Sequence, residues 1–296
     1  MVFHPPVAIV AKAGDSGKYK VGLPPAWNMV LRGFLSGAFI AMGAALATVC
    51  STGIQATDVA MRFGAASPGI SQLILGAVFP VGGLIITIMT GAELFTGDAM
   101  LAPPMAAFIH KVSWASVLNL WLWVYVGNLI GSVVFAYIMA YGPFVSFDAA
   151  GTATLTAFGL RAVAIATAKT SYFGAMGMWS VFLKGGIACN WLVNLAVLLG
   201  ICADDAIGKI VGIWFPIFAF VASGFEHSVA NMYFIPPAGI FCTGIDPPTK
   251  AVDTVNWVAM WTNNIIPVTL GNIVGGLFFV GVLYWVAFRK EIAALK

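Results

Sequence analysis

Two polar octapeptides interrupt long apolar stretches of the sequence, and both carry groups that could bind an anion. The first, GAELFTGD, covers residues 91–98, and the second, GFEHSVAN, covers residues 224–231. Irregular backbone is tolerated at membrane depth only where it is buried or lines a cavity, so each octapeptide is predicted to break a helix there. A broken helix exposes amide N–H groups and a new N-terminus, and both attract anions. The alternative is a span that simply ends here and is followed by an amphipathic cytoplasmic helix.

Two side chains of the octapeptides suggest how an anion could be handled. His227 is one of only 3 histidines, and an ionisable side chain inside a membrane is costly enough to indicate a function. Because imidazole changes its charge near neutral pH, His227 could offer a proton or a positive field to a passing anion. The alternative is a neutral histidine held by hydrogen bonds to the loop. Thr96 adds a hydroxyl that can donate or accept a hydrogen bond.

The carboxylates of the octapeptides are predicted to support the loops. At a constant offset, Glu93 aligns with Glu226 and Asp98 aligns with Asn231. A carboxylate beside a broken helix can accept the free amide N–H groups, so Glu93, Glu226 and Asp98 are expected to brace the backbone. A proton relay through the glutamates is the alternative. No nucleophile accompanies these residues, so catalysis by paired carboxylates is not indicated.

Further asparagines lie within the apolar stretches. Asn190 and Asn194 are four residues apart and therefore share one face of a helix. An asparagine in a span either lines a polar pathway or joins helices through hydrogen bonds. Asn190 is the candidate for the pathway. Asn128 and Asn272, which each follow a glycine, are predicted to join helices.

Two lysines near the fourth apolar segment could attract anions. Lys169 precedes that segment on the predicted outer side, where it could steer anions towards a pore mouth. Lys184 lies within the segment and could extend to the membrane interface or pair with a carboxylate. The two remain alternatives at this point.

The elements that position these residues follow from the composition. The chain has 296 residues, of which 60% are hydrophobic and 8% are charged, whereas soluble domains are about 25% charged. The charges are too few to cover a soluble surface, so the bilayer is the expected solvent. We predict an all-α membrane protein with six transmembrane helices, of which the second and fifth are broken. The predicted segments are about 27–52, 69–90, 113–141, 172–202, 208–223 and 258–288.

The charges outside these segments predict the orientation. Nine of the Lys and Arg residues fall on the side that carries both termini, and four fall on the other side. This excess places both termini in the cytoplasm of a multi-pass protein of the cell membrane. Residues 1–24 lack the apolar stretch of a signal peptide and are expected to form a cytoplasmic arm. Residues 25–296 are expected to form one transmembrane domain.

The segments are organised as a repeat. Besides the two octapeptides, a Gly-Asn pair recurs at 127–128 and 271–272. Three segments are thus followed by three equivalent segments. Because three crossings take the chain to the opposite side of the membrane, the second copy begins there and has the inverted orientation. The inverted repeats are predicted over about 25–142 and 170–290. Inverted repeats with broken central helices indicate a permeation site near the midplane of the bilayer.

Cofactor and metal chemistry is not indicated. The 4 cysteines show no CxxC spacing, so no metal framework is predicted. The sequence also lacks a Walker loop, a GxGxxG phosphate loop, an HExxH motif and a haem motif. The chain is therefore not predicted to be an enzyme, and no cofactor, metal or nucleic-acid partner is expected.

Four segments resemble the signature segments of the formate/nitrite transporter family. They are GAELFTGD, KGGIACNWLVNLAV, ASGFEHSVANMYFIP and NNIIPVTLGNIVGG. The resemblance covers about residues 25–288 and implies an aquaporin-like fold with six spans per protomer. It also implies a homopentamer with one pore in each subunit.

The resemblance implies roles for individual residues. Thr96 matches the loop threonine of the family, and His227 matches its pore histidine. Asn190 and Asn231 match its pore asparagines, and Lys169 resembles the lysine that precedes the fourth span. The residues that match apolar constrictions are Leu94, Phe95 and Phe220, together with either Phe79 or Leu84.

These features predict a channel or transporter for small monovalent anions, with formate as the expected cargo. Protonation of the anion at His227 would let it cross apolar constrictions as a neutral acid, which lowers the cost of desolvation. Nitrite and hydrosulfide resemble formate in size and charge and are the alternative cargoes. A channel for a neutral solute, such as water or a polyol, is the alternative of another class.

Overall fold

The computed structural model describes residues 3–22, 26–54, 68–242, 245 and 255–294. Five of its helices are long and apolar enough to cross a membrane, and a sixth apolar helix is shorter. The helices are α1 (Pro6–Val21), α2 (Ala26–Cys50), α3 (Pro68–Gly82), α4 (Leu84–Thr90), α5 (Asp98–Phe108), α6 (Trp114–Tyr141), α7 (Ala157–Thr170), α8 (Gly174–Cys202), α9 (Ala206–Ala222), α10 (Ser228–Phe234), α11 (Pro236–Gly239) and α12 (Trp257–Ala294).

Both octapeptides interrupt the helices, in agreement with the prediction. α4 ends at Thr90 and is followed by Gly91, which has a φ of 77°, and the next helix, α5, begins at Asp98. α9 is followed by Gly224, which has a φ of 68°, and α10 begins at Ser228. Glycine has no Cβ and adopts this left-handed conformation without strain. The two glycines therefore turn the chain out of the helix at the equivalent position of each octapeptide.

The segment between the third and fourth spans differs from the all-α prediction. β1 (Val145–Phe147) pairs with β2 (Ala153–Leu155) in an antiparallel hairpin. The carboxylate of Asp148 accepts backbone N–H groups of the turn, above all that of Thr152, and these bonds lower the pKa of Asp148. Each strand has only 3 residues, which is too short for an alternating pattern to be recognised in the sequence.

Glycines bring pairs of spans into close contact. A Cβ on Gly33 or Gly37 of α2 would overlap the backbone of α6, including that of Asn128. In the same way, Gly186 of α8 lies against Gly271 of α12. Small residues let helices approach until their backbones touch. The close approach holds both Gly-Asn pairs beside the broken loops.

Parts of α8 and α12 are wider π-helical turns. They cover Val181–Ile187 in α8, and Met260–Ile265 and Val274–Val282 in α12. Such turns are frequent at functional sites because they change the direction of the residues that follow. Here they carry Asn264, whose Nδ2 donates to Glu226 of the second octapeptide, and Gly186, whose carbonyl accepts from Asn272.

The N-terminal arm is a helix that packs on the transmembrane part. Gly17 of α1 lies against the backbone of Ala102 in α5. Two side chains of the arm bind the carboxylate of Asp204. His4 Nε2 lies 2.7 Å from Asp204 Oδ2, and Lys12 Nζ lies 3.1 Å from Asp204 Oδ1. The bonds from His4 and then Lys12 lower the pKa of Asp204. The arm is thus attached at the turn between α8 and α9 as well as along α5.

Candidate functional site

The two broken loops meet through a hydrogen bond between Thr96 and His227. Thr96 Oγ1 lies 2.6 Å from His227 Nε2, and both side chains are buried. Thr96 lies between α4 and α5, and His227 directly precedes α10, so each octapeptide contributes one partner. The structure therefore brings together the two residues that the sequence indicated for contact with an anion.

The hydrogen bonds of His227 define its tautomer. His227 Nδ1 accepts the backbone N–H of Ala230 at 2.9 Å and thereby caps α10. A ring nitrogen that accepts a hydrogen bond carries no proton, so the proton is assigned to Nε2 and the imidazole is neutral. His227 Nε2–H consequently donates to the Thr96 hydroxyl.

Asn128 connects the first broken loop to α2. Its Oδ1 accepts the N–H of Phe95 at 2.9 Å. Its Nδ2 donates to the carbonyls of Gly33 and Glu93, at 2.8 and 3.0 Å. Asn128 is completely buried, so water does not compete for these bonds. One neutral amide thus binds three backbone groups around the break.

Asn272 makes the equivalent bonds to the second broken loop. Its Oδ1 accepts the N–H of Ser228 at 2.9 Å. Its Nδ2 donates to the carbonyls of Gly186 and Glu226, at 2.9 and 3.2 Å. Asn128 and Asn272 therefore connect helices, as the sequence indicated, but each does so through the backbone of a broken loop.

Glu226 differs from the expectation that its carboxylate binds loop amides. Glu226 Oε2 accepts hydrogen bonds from Lys169 Nζ at 2.9 Å and from Asn231 Nδ2 at 2.6 Å. Asn264 Nδ2 lies 3.2 Å from the same oxygen. The N–H of Ser228 is instead bound by Asn272, while Glu226 Oε2 is occupied by a lysine and two amides.

The first loop is paired with the N-terminal arm in a similar way. Lys20 Nζ donates to Glu93 Oε1 at 2.7 Å and to Asp98 Oδ2 at 2.6 Å. Asp98 also accepts the N–H of Leu94 at 2.9 Å, so it binds the loop backbone directly, whereas Glu93 does not. Burial alone would lower the pKa of Lys20, but the carboxylates of Asp98 and Glu93 outweigh burial and raise the pKa.

Lys20→Met should release the arm from the first loop. The substitution leaves Glu93 and Asp98 buried, and among the described residues only Arg32 then lies within ion-pair distance, at 3.8 Å from Glu93. Removing one partner of a buried pair costs on the order of 3–5 kcal/mol. The arm is therefore expected to become protease-sensitive, which limited proteolysis in detergent measures as faster cleavage within Pro6–Val21.

Lys18→Met is the matched control, because Lys18 lies on the same helix and is exposed. Equal cleavage rates for the two variants would contradict the assigned role of Lys20.

The raised pKa of Lys20 also determines how its contribution to stability depends on pH. The contribution of Lys20 is complete below the ordinary lysine pKa of about 10.4 and is lost only as the pH rises through the raised value. Lys20 itself should therefore stay charged between about pH 7 and pH 9.

A cavity of about 390 Å³ leads to His227 from one side of the loops. Phe79 and Phe220, both proposed for a constriction, line this cavity together with Lys169. The Phe220 ring stacks on His227 with ring centroids 5.7 Å apart, and Phe79 meets Phe220 edge-on at 5.9 Å. The structure thus brings an apolar, aromatic surface to the imidazole.

A second cavity, of about 210 Å³, lies between the arm and the first loop. Lys20 and Asp98 are among the residues that line it.

Leu84 and Leu94, both proposed for a constriction, are completely buried, and both pack beside Gly97. These two leucines therefore lie next to Thr96, close to the break in the helix.

Phe95 is placed apart from the aromatic residues at His227. Its ring meets Tyr125 and Trp121 edge-on, with centroids 4.8 and 5.8 Å away. It lines a different cavity, of about 400 Å³, between α6 and α12. The structure does not bring Phe95 together with Phe79 and Phe220 in the cavity at His227. The Phe95 ring is held instead against the aromatic side chains of α6.

Asn190 belongs to a chain of buried amides on α8. Its Nδ2 donates to the carbonyl of Asn272 at 2.8 Å, and its carbonyl accepts from Asn194 Nδ2 at 3.0 Å. Asn194 Nδ2 also lies 3.0 Å from the carbonyl of Thr96. The Oδ1 atoms of Asn190 and Asn194 are buried and accept no hydrogen bond from the described residues. Both oxygens are therefore available as acceptors beside the loops.

Three side chains of the site were not recognised in the sequence. Lys20 is one of several cations in the arm, and nothing in its local sequence indicates a partner in the first octapeptide. Arg161 lines the cavity at His227 but lies outside the predicted spans. Asn264 could have been found from its position in one of the resembling segments. Two of the cations that were counted for the orientation, Arg62 and Lys250, lie outside the described residues, and so does the side chain of Lys184.

Comparison with known sequences identifies the family. A model of the family described as formate/nitrite transporter matches residues 7–286. The chain belongs to the formate/nitrite transporter family. This transporter is 42% identical to a probable formate transporter of Methanothermobacter thermautotrophicus over 278 residues, which are 90% of this chain and 91% of that protein. It is 36% identical to the formate channel BtFdhC of Bacillus thuringiensis, with 100% of both chains covered.

Solved structures of similar proteins share the fold of this transporter. A pentameric formate channel with formate bound has a TM-score of 0.69 and 32% identity, with 90% of this chain and 98% of that chain covered. An FNT family ion channel has a TM-score of 0.75 and 26% identity, with 95% and 98% covered. The protein is thus a multi-pass membrane transporter and not an enzyme.

Proposed function

We propose that this transporter passes formate across the membrane, with protonation of the anion at His227. The observation that carries the proposal is the 2.6 Å contact between Thr96 and His227, which joins the two broken loops. His227 lines one cavity, and a second cavity lies beside the first loop. Similar proteins named as a probable formate transporter and a formate channel support formate as the cargo. A solved relative that contains bound formate supports it further.

The charges around the two cavities favour an anion. Arg161 lines the cavity at His227, where Lys169 is paired with Glu226. Lys209 lines the cavity beside the arm, where Lys20 is paired with Asp98. Cations in a low-dielectric cleft raise the local concentration of anions. An unprotonated carboxylate would be held back by the apolar rings beside His227, because an unpaired charge is costly to desolvate.

The proton step needs the charged form of His227. If neutral imidazole gave up its Nε2 proton it would become imidazolate, which does not form near neutral pH. His227 Nδ1 therefore first takes a proton from a hydronium ion on the side from which formate enters, which leaves a water molecule and opens the bond from Ala230. Nε2 then passes its proton to a formate oxygen, leaving formic acid and the Nδ1–H imidazole. Exchange with water restores the resting tautomer, and the acid releases its proton on the far side.

We also propose the detailed membrane architecture that the sequence predicts. The six spans form two inverted repeats in an aquaporin-like arrangement, and both termini lie in the cytoplasm. The equivalent hydrogen bonds of Asn128 and Asn272 support the repeats, and the excess of cations on one side supports the orientation. A homopentamer in the bilayer, with one pore in each subunit, is supported by the pentameric solved relative.

Flux measurements on the protein in liposomes test the proposed function. Formate should enter several-fold faster than glycerol, and an inward proton gradient should increase its rate. Nitrite and hydrosulfide are compared under the same gradient. Faster flux of either would change the cargo and retain the anion class. Glycerol flux without anion flux would favour a neutral-solute channel and contradict the proposal.

A further inference from the structure

The cavity at His227 contains an arginine that has no acidic partner among the described residues. Arg161, Ile165 and Lys169 line this cavity from one face of α7. The eight positions from Arg161 to Lys169 correspond to about 12 Å along the helix axis. Arg161 Nε lies 3.3 Å from Ser51 Oγ, and Ser51 directly follows the end of α2. The guanidinium is therefore at the mouth of the cavity, at the level where a span ends.

Lys169 does not supply the net charge of this cavity. Its Nζ is 2.9 Å from Glu226 Oε2 and 5.3 Å from the centre of the Phe234 ring. The charges of Lys169 and Glu226 cancel, and His227 is neutral in this arrangement of hydrogen bonds. Among the charged residues that line the cavity, Arg161 alone is left uncompensated.

The guanidinium of Arg161 also has unused hydrogen-bond donors. An arginine side chain has five N–H donors, and among the described residues only Nε has a partner, Ser51. Burial without a counter-ion lowers the pKa of Arg161, yet a guanidinium remains protonated at physiological pH. A half-buried cation with free donors beside a cavity is suited to binding an anion.

We propose that Arg161 forms a separate anion-binding site at the mouth of the cavity, which captures a small planar oxyanion before it reaches His227. The site rests on the proposed function, because it supplies the first binding step of the same passage. Two N–H groups of a guanidinium match the two oxygens of a carboxylate or of nitrite. Hydrosulfide offers a single acceptor atom, so Arg161 should favour oxyanions over it.

The concentration dependence of flux separates capture from passage. Arg161→Gln should raise the formate concentration that gives half-maximal flux by about three- to tenfold. The maximal flux should change little, because the residues around His227 are unaltered. The ratio of formate flux to hydrosulfide flux at low concentration should fall. Arg161→Lys should keep most of the attraction but lose part of this ratio, because an ammonium group cannot bind two oxygens side by side.

Arg289→Gln is the matched control, because Arg289 is an exposed arginine near the end of α12 and does not line this cavity. An unchanged half-saturating concentration and an unchanged anion ratio in Arg161→Gln would overturn the site. If Arg161→Gln does not assemble, Arg161→Lys serves as the test variant. A ratio of formate flux to hydrosulfide flux equal to that of wild type in Arg161→Lys would also overturn the site.

A binding measurement distinguishes this site from the proposed function. Line broadening of ¹³C-formate by the purified protein reports binding without passage. Weaker broadening in Arg161→Gln than in wild type supports the site even if wild-type protein carries no formate, an outcome that would contradict only the proposed function. Equal broadening by both proteins would overturn the site.

Discussion

His227→Asn should abolish the acidification that accompanies formate uptake into liposomes. Asparagine preserves the cap of α10, since its Oδ1 is a favourable acceptor at a helix N-terminus, where Ala230 N–H now binds the ring. The asparagine side chain ends one atom short of the imidazole Nε2, so the bond to Thr96 is lost together with the proton. Asparagine has no titratable proton, and a general acid contributes about 10²–10⁴-fold. Proton-linked flux should therefore fall at least about 10²-fold.

The measurement is the number of protons per formate, obtained from an internal pH dye and labelled formate in the same liposomes. His110→Asn is the matched control, because His110 has a φ of 60°, which asparagine tolerates. His110 is also exposed and lies beyond the end of α5. The control should keep the wild-type ratio. An undiminished ratio in His227→Asn would rule out His227 as the acid and leave the channel architecture unaffected.

Asn272→Leu should destabilise the protein far more than the replacement of an exposed asparagine in the spans. Leucine has a similar volume but removes the bonds to Ser228 N–H and to the carbonyls of Gly186 and Glu226. A buried backbone group left without a partner costs about 1–3 kcal/mol. The combined loss of stability should be on the order of 3 kcal/mol or more. Tryptophan fluorescence in detergent should show a melting temperature lower by at least roughly 5 °C.

Asn119→Leu is the control for this substitution. Asn119 is exposed on α6, and its Oδ1 accepts one hydrogen bond, from Trp123 Nε1 at 3.2 Å. Its replacement should change the melting temperature by no more than about 2 °C, because surface substitutions usually have small effects. Similar melting temperatures for the two variants would mean that the bonds of Asn272 do not hold the second loop. Asn272→Leu should also lose formate flux, since the loop carries His227.

Local sequence was sufficient to locate the helices and their breaks. Apolar runs of the length of a bilayer predicted the apolar helices to within a few residues, because the bilayer requires that length and composition. α12 continues further, to Ala294 instead of 288. Gly91 and Gly224 end their helices where each octapeptide begins, because only glycine adopts a positive φ without strain. The recurrence of the octapeptides also pointed to Thr96 and His227 as parts of one site. The hairpin at β1 and β2 was missed because such short strands carry no periodic signal.

The pairing of side chains at the breaks was decided by the tertiary structure. The sequence favoured Glu93 and Glu226 as the groups that bind the loop backbone, because charged acceptors make strong hydrogen bonds. A broken loop, however, exposes both N–H and C=O groups. A carboxylate can only accept, whereas an amide accepts and donates, so Asn128 and Asn272 bind these loops. The glutamates pair with Lys20 and Lys169, which are distant in sequence and approach the loops only when the helices pack.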